Sequence, residues 1–137
     1  MSAAARILII DDDPSFVESN RDLLEAYGYE VATAPDGRRA LAEAIAFRPD
    51  LVILDVMMTH STEGFEVARE LRRRPDLEDV GILLVTGMAR ELNLPGPPIP
   101  DVEWLPVDRV LEKPIDPARL IAEVERVLQK QKKGEQT

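Results

Sequence analysis

Apolar residues in this chain fall into two kinds of pattern. Three continuous runs, Ile7-Leu8-Ile9-Ile10, Leu51-Val52-Ile53-Leu54 and Val80-Gly81-Ile82-Leu83-Leu84-Val85, are too short for buried helices. Being continuous rather than alternating, they predict strands covered on both faces. Between and after them the apolar residues recur at helical spacing. Phe16, Val17, Leu23, Leu24 and Tyr27 form one stripe, Ala40, Leu41, Ala44 and Ile45 a second, and Phe65, Ala68 and Leu71 a third; Leu120, Ile121, Val124, Val127 and Leu128 form the last. Each predicts a helix with one buried face. Tyr29-Glu30-Val31-Ala32-Thr33-Ala34 alternates, as an edge strand with one wet face would, and Arg109-Val110-Leu111-Glu112 reads as a short fifth strand. Strands alternating with helices predict a doubly wound α/β fold, with parallel strands and helices on both faces.

Turn chemistry punctuates these elements. Asp13-Pro14 and Asp116-Pro117 each supply an acid to cap a helix and a proline for its first turn. Gly28 stops the first helix, Pro35-Asp36-Gly37 makes a turn, and Pro49 ends the second helix so that the next strand is entered from a turn. Arg69, Arg72, Arg73 and Arg74 read as a solvated face of the third helix. After Thr86-Gly87 the alternation breaks. Asn93-Leu94-Pro95-Gly96-Pro97-Pro98-Ile99-Pro100 cannot be a helix interior, because proline lacks the donor and clashes with the preceding turn. The place of a fourth helix is therefore predicted to hold at most a turn, then a proline-rich excursion containing Trp104. From Lys130 onward the chain is polar and predicted to fray.

Composition narrows the options. With 137 residues there is material for one core and not two, so 1–137 reads as a single domain, its core spanning about 5–129 and a polar tail 130–137. Hydrophobic residues at 45% exclude a disordered chain. The net charge of -9 repels a phosphate backbone, so direct nucleic-acid binding is not expected. The absence of cysteine excludes disulfides, thiolate metal sites and a cysteine nucleophile. His60, the one histidine, has no base or nucleophile partner in the sequence and reads as a loop residue. No segment approaches a signal-peptide core or a membrane span, so no membrane partner is expected and a cytoplasmic location is.

Ligands of open parallel sheets bind beyond the carboxyl ends of the strands. Asp11 and Asp12 follow the first strand, Asp55 the third, Thr86 the fourth and Lys113 the fifth. Singly, each has an ordinary reading as a cap or a solvated turn. Together they place carboxylates, a hydroxyl and an ammonium at one sheet edge. Adjacent Asp11 and Asp12 repel unless a cation lies between them, and oxygen ligands suit a hard ion such as Mg²⁺. That set suits a phosphoryl group: the metal and Lys113 neutralise its oxygens, Thr86 hydrogen-bonds one, and Asp55 is the attacking carboxylate.

In order and approximate spacing, Ile7-Leu8-Ile9-Ile10-Asp11-Asp12-Asp13-Pro14, Leu54-Asp55-Val56-Met57-Met58, Thr86-Gly87 and Lys113-Pro114 resemble the receiver domain of two-component response regulators, over nearly the whole chain. The resemblance implies a flavodoxin-like five-stranded sheet of order 2-1-3-4-5, an order given for this family among the general rules of doubly wound folds. It implies a signalling module rather than an enzyme in the usual sense, one that catalyses its own phosphorylation and dephosphorylation. A sensor histidine kinase or phosphotransfer protein would donate to Asp55. Asp12 and Asp55 would bind Mg²⁺ directly, Asp11 through water, and the Met57 carbonyl would complete the protein ligands. Lys113 would pair with Asp55 before phosphorylation and with the phosphoryl oxygens afterwards, its orientation set by a cis bond to Pro114. Thr86 would swing toward the phosphoryl group and shift a two-state equilibrium.

Three departures from the family pattern bear on output and access. The loop after Met58 is one residue longer than usual, with Thr59 where a proline is expected; the proline-rich excursion replaces the fourth helix; and Val110 stands where a switch aromatic is common. The segment 94–106, with Trp104, is accordingly expected to form a different surface for a downstream protein partner. Apolar Met57 and Met88, two residues after Asp55 and Thr86, are expected to exclude hydrolytic water and prolong the phosphorylated state. Two other readings compete. A pseudo-receiver would keep the fold and bind partners without phosphate. An aspartate-nucleophile phosphatase needs a further acidic cluster after the lysine, where only Asp116, Glu123 and Glu125 occur, at capping and helix-surface positions. With no effector domain in the sequence, a stand-alone receiver acting through protein contact is expected, and a homodimer stays open.

Overall fold

The computed structural model describes residues 4–55, 63–77, 79–86 and 107–135. Five strands, β1 (Arg6–Ile10), β2 (Glu30–Ala34), β3 (Leu51–Asp55), β4 (Gly81–Thr86) and β5 (Arg109–Glu112), form one parallel sheet in the order β2-β1-β3-β4-β5. The helices among the described residues are α1 (Pro14–Ala26), α2 (Gly37–Phe47), α3 (Glu63–Arg73) and α4 (Pro117–Glu135).

The continuous apolar runs are explained by what covers each face. Side chains alternate across a strand, so Leu8, Ile10, Val52, Leu54, Ile82 and Leu84 meet Ala40, Ala44, Ala68 and Leu71 of α2 and α3. Ile7, Ile9, Leu51, Ile53, Leu83 and Val85 meet Leu24 of α1 and Leu120, Val124 and Val127 of α4. Each fully buried aliphatic side chain contributes about 1.5–3 kcal/mol. A one-residue slip would exchange the two faces, and the register Ile7↔Leu51 and Leu51↔Gly81 is held by this two-sided burial.

Acids cap the starts of α1 and α2, Asp13 as its sequence predicts and Asp36 from what the sequence showed only as a turn. Asp13 accepts from the Ser15 amide (3.1 Å) with Pro14 opening α1, and Asp36 accepts from the Arg39 amide (2.9 Å) at the start of α2. Gly28, at φ 92, occupies the left-handed conformation after α1 that side chains resist.

Several expectations are corrected. Strand β2 is an edge, yet its sheet faces are both packed: Val31 lies against the α1/α4 side, and Ala32 and Ala34 against the α2/α3 side. Ile45 is exposed, because Ala40, Leu41, Ala44 and Phe47 fill the inward stripe of α2. Arg72 is not on a solvated face: it donates to the Val80 carbonyl and pairs with Asp108 (3.1 Å). Helix α4 runs on to Glu135, through residues expected to fray, since Gln and Lys propagate a helix well. Val110 packs partly buried on the α2/α3 side of the core. The stretch 87–106, with the expected loss of a fourth helix, lies outside the described residues. Among those residues no helix is long and apolar enough to cross a membrane.

Candidate functional site

The sheet delivers its polar residues to one edge. Asp11 follows β1 and is only 2% exposed. Burial of a carboxylate needs compensation, and Asp11 has it: Oδ1 accepts from the Asp13 amide (2.9 Å) and Oδ2 from Lys113 Nζ (2.9 Å). Its own amide donates to the Ala34 carbonyl of β2 (3.1 Å), tying the turn to the sheet edge. Asp55, the last residue of β3, is 3% exposed, and its Oδ2 lies 3.6 Å from Lys113 Nζ. Asp12 is exposed beside them, and one carboxylate oxygen from each of Asp11, Asp12 and Asp55 lies within 4.8 Å of the others.

Lys113 follows β5 directly, and its bond to Pro114 is cis, as the resemblance implied. Its side chain is 25% exposed. Burial alone would lower its pKa, but the hydrogen bond to Asp11 and the charges of Asp55, Asp11 and Asp13 outweigh that and raise it above the ordinary lysine value. The ammonium also sits 4.2 Å from the centroid of the Phe16 ring. Lys113 thus bridges the two buried carboxylates, with its shorter contact to Asp11 rather than to Asp55.

Thr86 closes β4 one residue beyond Val85, the register partner of Asp55, and pairs across β5 with Glu112. The expectations for Met57, Met88, His60 and Trp104 concern residues outside those described. Glu123, expected on the surface of the last helix, is buried and held by Arg109 (2.6 Å) and Arg126 (3.4 Å). That pairing satisfies the carboxylate structurally. Phe16 read in the sequence only as part of a core stripe; its place in the first turn of the helix that follows the acids is the signal that could have set it at this edge.

The donor set fits a hard divalent cation: three carboxylates, no softer ligand among them, and one of the three open to solvent. An aspartate beside an ammonium and an acid pair suited to a hard cation can accept a phosphoryl group.

Comparison with known proteins agrees with this geometry. Residues 7–125 match the response regulator receiver domain family. The chain is 41% identical over 125 residues to the response regulator PleD of Caulobacter vibrioides, covering 88% of this chain and 25% of PleD. It is 34% identical over 127 residues to the DNA-binding dual master transcriptional regulator RpaA of Synechocystis, covering 91% of this chain and 49% of RpaA. The chain therefore spans half or less of these two relatives. The crystal structure of a CheY-like response regulator receiver domain protein from Methanospirillum hungatei superposes with a TM-score of 0.77 at 26% identity, covering 96% of this chain and 98% of that one. With the sheet order, the acid cluster and the lysine in place, the chain belongs to the response regulator receiver domain family.

Proposed function

We propose that this receiver is the phosphoacceptor of a two-component phosphorelay, taking a phosphoryl group from a kinase phosphohistidine onto Asp55. The observation that carries the reading is Lys113 lying between the buried Asp11 and Asp55 carboxylates, with Asp12 open beside them. In the transfer a bond forms between a carboxylate oxygen of Asp55 and phosphorus as the phosphorus–nitrogen bond of the donor breaks. Lys113 supplies positive charge where the phosphoryl oxygens arrive, and Thr86, at the neighbouring strand end, donates a hydrogen bond to one of them. Asp11, Asp12 and Asp55, with the Met57 carbonyl, would hold Mg²⁺, whose charge neutralises those oxygens when it is bound. Met57 and Met88 limit water at the acyl phosphate, and 94–106 with Trp104 serves a downstream protein. Residues 1–137 act as one receiver unit in the cytoplasm.

Beryllofluoride, which mimics a phosphoryl group on a carboxylate, tests the assignment. With Mg²⁺ it should shift the backbone amide signals of residues 11–12, 55, 86 and 113 in the wild-type protein and leave Asp55→Asn unchanged. An unresponsive wild-type spectrum would contradict the proposal and favour a phosphate-independent interaction module.

A further inference from the structure

The Lys113 ammonium has three N–H donors. One meets Asp11 at 2.9 Å, the Asp55 carboxylate lies 3.6 Å away, and the Phe16 ring centroid lies 4.2 Å from the same nitrogen. Phe16 is itself anchored: it sits in the first turn of α1, two residues after Pro14, and its half-buried ring packs against the α1/α4 side of the core. Its carbonyl accepts from the Asn20 side chain at 2.7 Å, one turn along α1. A π face attracts a cation without offering a competing carboxylate or water oxygen. An aliphatic side chain of similar bulk would fill the space and lack that attraction.

We propose that Phe16 is a positioning residue, whose ring holds the Lys113 ammonium against Asp11 and Asp55 and so presents it to an incoming phosphoryl group. The inference rests on the phosphoacceptor reading. Residue type at this position then tunes phosphorylation without touching substrate: aromatic residues sustain it and aliphatic ones slow it.

The test compares wild type, Phe16→Leu and Phe16→Tyr by two readouts. One is the NMR shift of the Lys113 εCH₂ protons, which a ring above the ammonium moves upfield. The other is the initial rate of phosphorylation by acetyl phosphate with Mg²⁺. Wild type and Phe16→Tyr should share the upfield shift and the rate, whereas Phe16→Leu should lose the shift and react about two- to fivefold more slowly, the scale of one cation–π contact. Urea midpoints confirm that each variant is folded. Phe16→Leu reacting at the wild-type rate, or Phe16→Tyr as slow as Phe16→Leu, would overturn the role of the ring. If no protein in the set takes phosphate while the upfield shift is present, the phosphoacceptor reading itself falls, and this inference with it.

Discussion

Tyr29 and Lys113 respond to alkali in the same direction. Burial raises the Tyr29 pKa first and the negative charge of Glu125 adds to it, while the raised Lys113 value reflects its carboxylate partners outweighing burial. Both groups hold their protons more tightly in the folded protein than in the unfolded chain. Their contribution to stability is full below the ordinary values of about 10 for both groups and is lost as pH rises through the folded-state values. Urea unfolding between pH 8 and 11 should therefore show stability falling above about pH 10, and Tyr29→Phe should make that fall shallower. An alkaline limb unaltered by Tyr29→Phe would assign the loss elsewhere. The resemblance pairs Lys113 with Asp55, which lies 3.6 Å away; the shorter contact to Asp11 was not legible in the sequence. Asp11 and Asp55 both stand at strand ends, and only the amide of Asp13 gripping Asp11 Oδ1 shows why Asp11 is held where Lys113 reaches it at 2.9 Å.

Strand β5 has four residues and lies at the sheet edge, so few ladder bonds determine its register. Asp108, just before it, adds two links: its amide donates to the Ile82 carbonyl (2.9 Å), and its Oδ2 accepts from the Ile82 amide (2.8 Å). Arg72 of α3 grips the same carboxylate at 3.1 Å while donating to the Val80 carbonyl. This clasp joins the end of α3 to the starts of β4 and β5, and Lys113 lies five residues beyond it. Asp108→Ala and Arg72→Ala should each cost about 1–3 kcal/mol in urea unfolding, and the double variant less than their sum. Full additivity would show that the two residues act separately. The strands β1, β3 and β4 were legible because apolar runs covered on both faces admit few other readings. The clasp was not, because the burial of Arg72 depends on a carboxylate 36 positions away. The alternation in β2 misled for a related reason: Ala32 is small enough to serve a packed face as easily as a wet one.

At the scale of the whole molecule, α1 and α4 on one face of the sheet and α2 and α3 on the other, among the described residues, leave the carboxyl ends of the strands to chemistry. Asp11 after β1, Asp55 closing β3, Thr86 closing β4 and Lys113 after β5 are brought to that edge by strand order alone. The edge was readable in advance because each polar residue ends an apolar run, and the parallel fold stacks those ends together. Intact-mass spectrometry after incubation with acetyl phosphate, with and without Mg²⁺, beside Asp55→Ala, tests the central assignment most directly. One phosphoryl adduct, dependent on the metal and absent from Asp55→Ala, is the predicted result. An adduct that persists in Asp55→Ala, or none in the wild type with Mg²⁺ present, would contradict the assignment of Asp55 as acceptor.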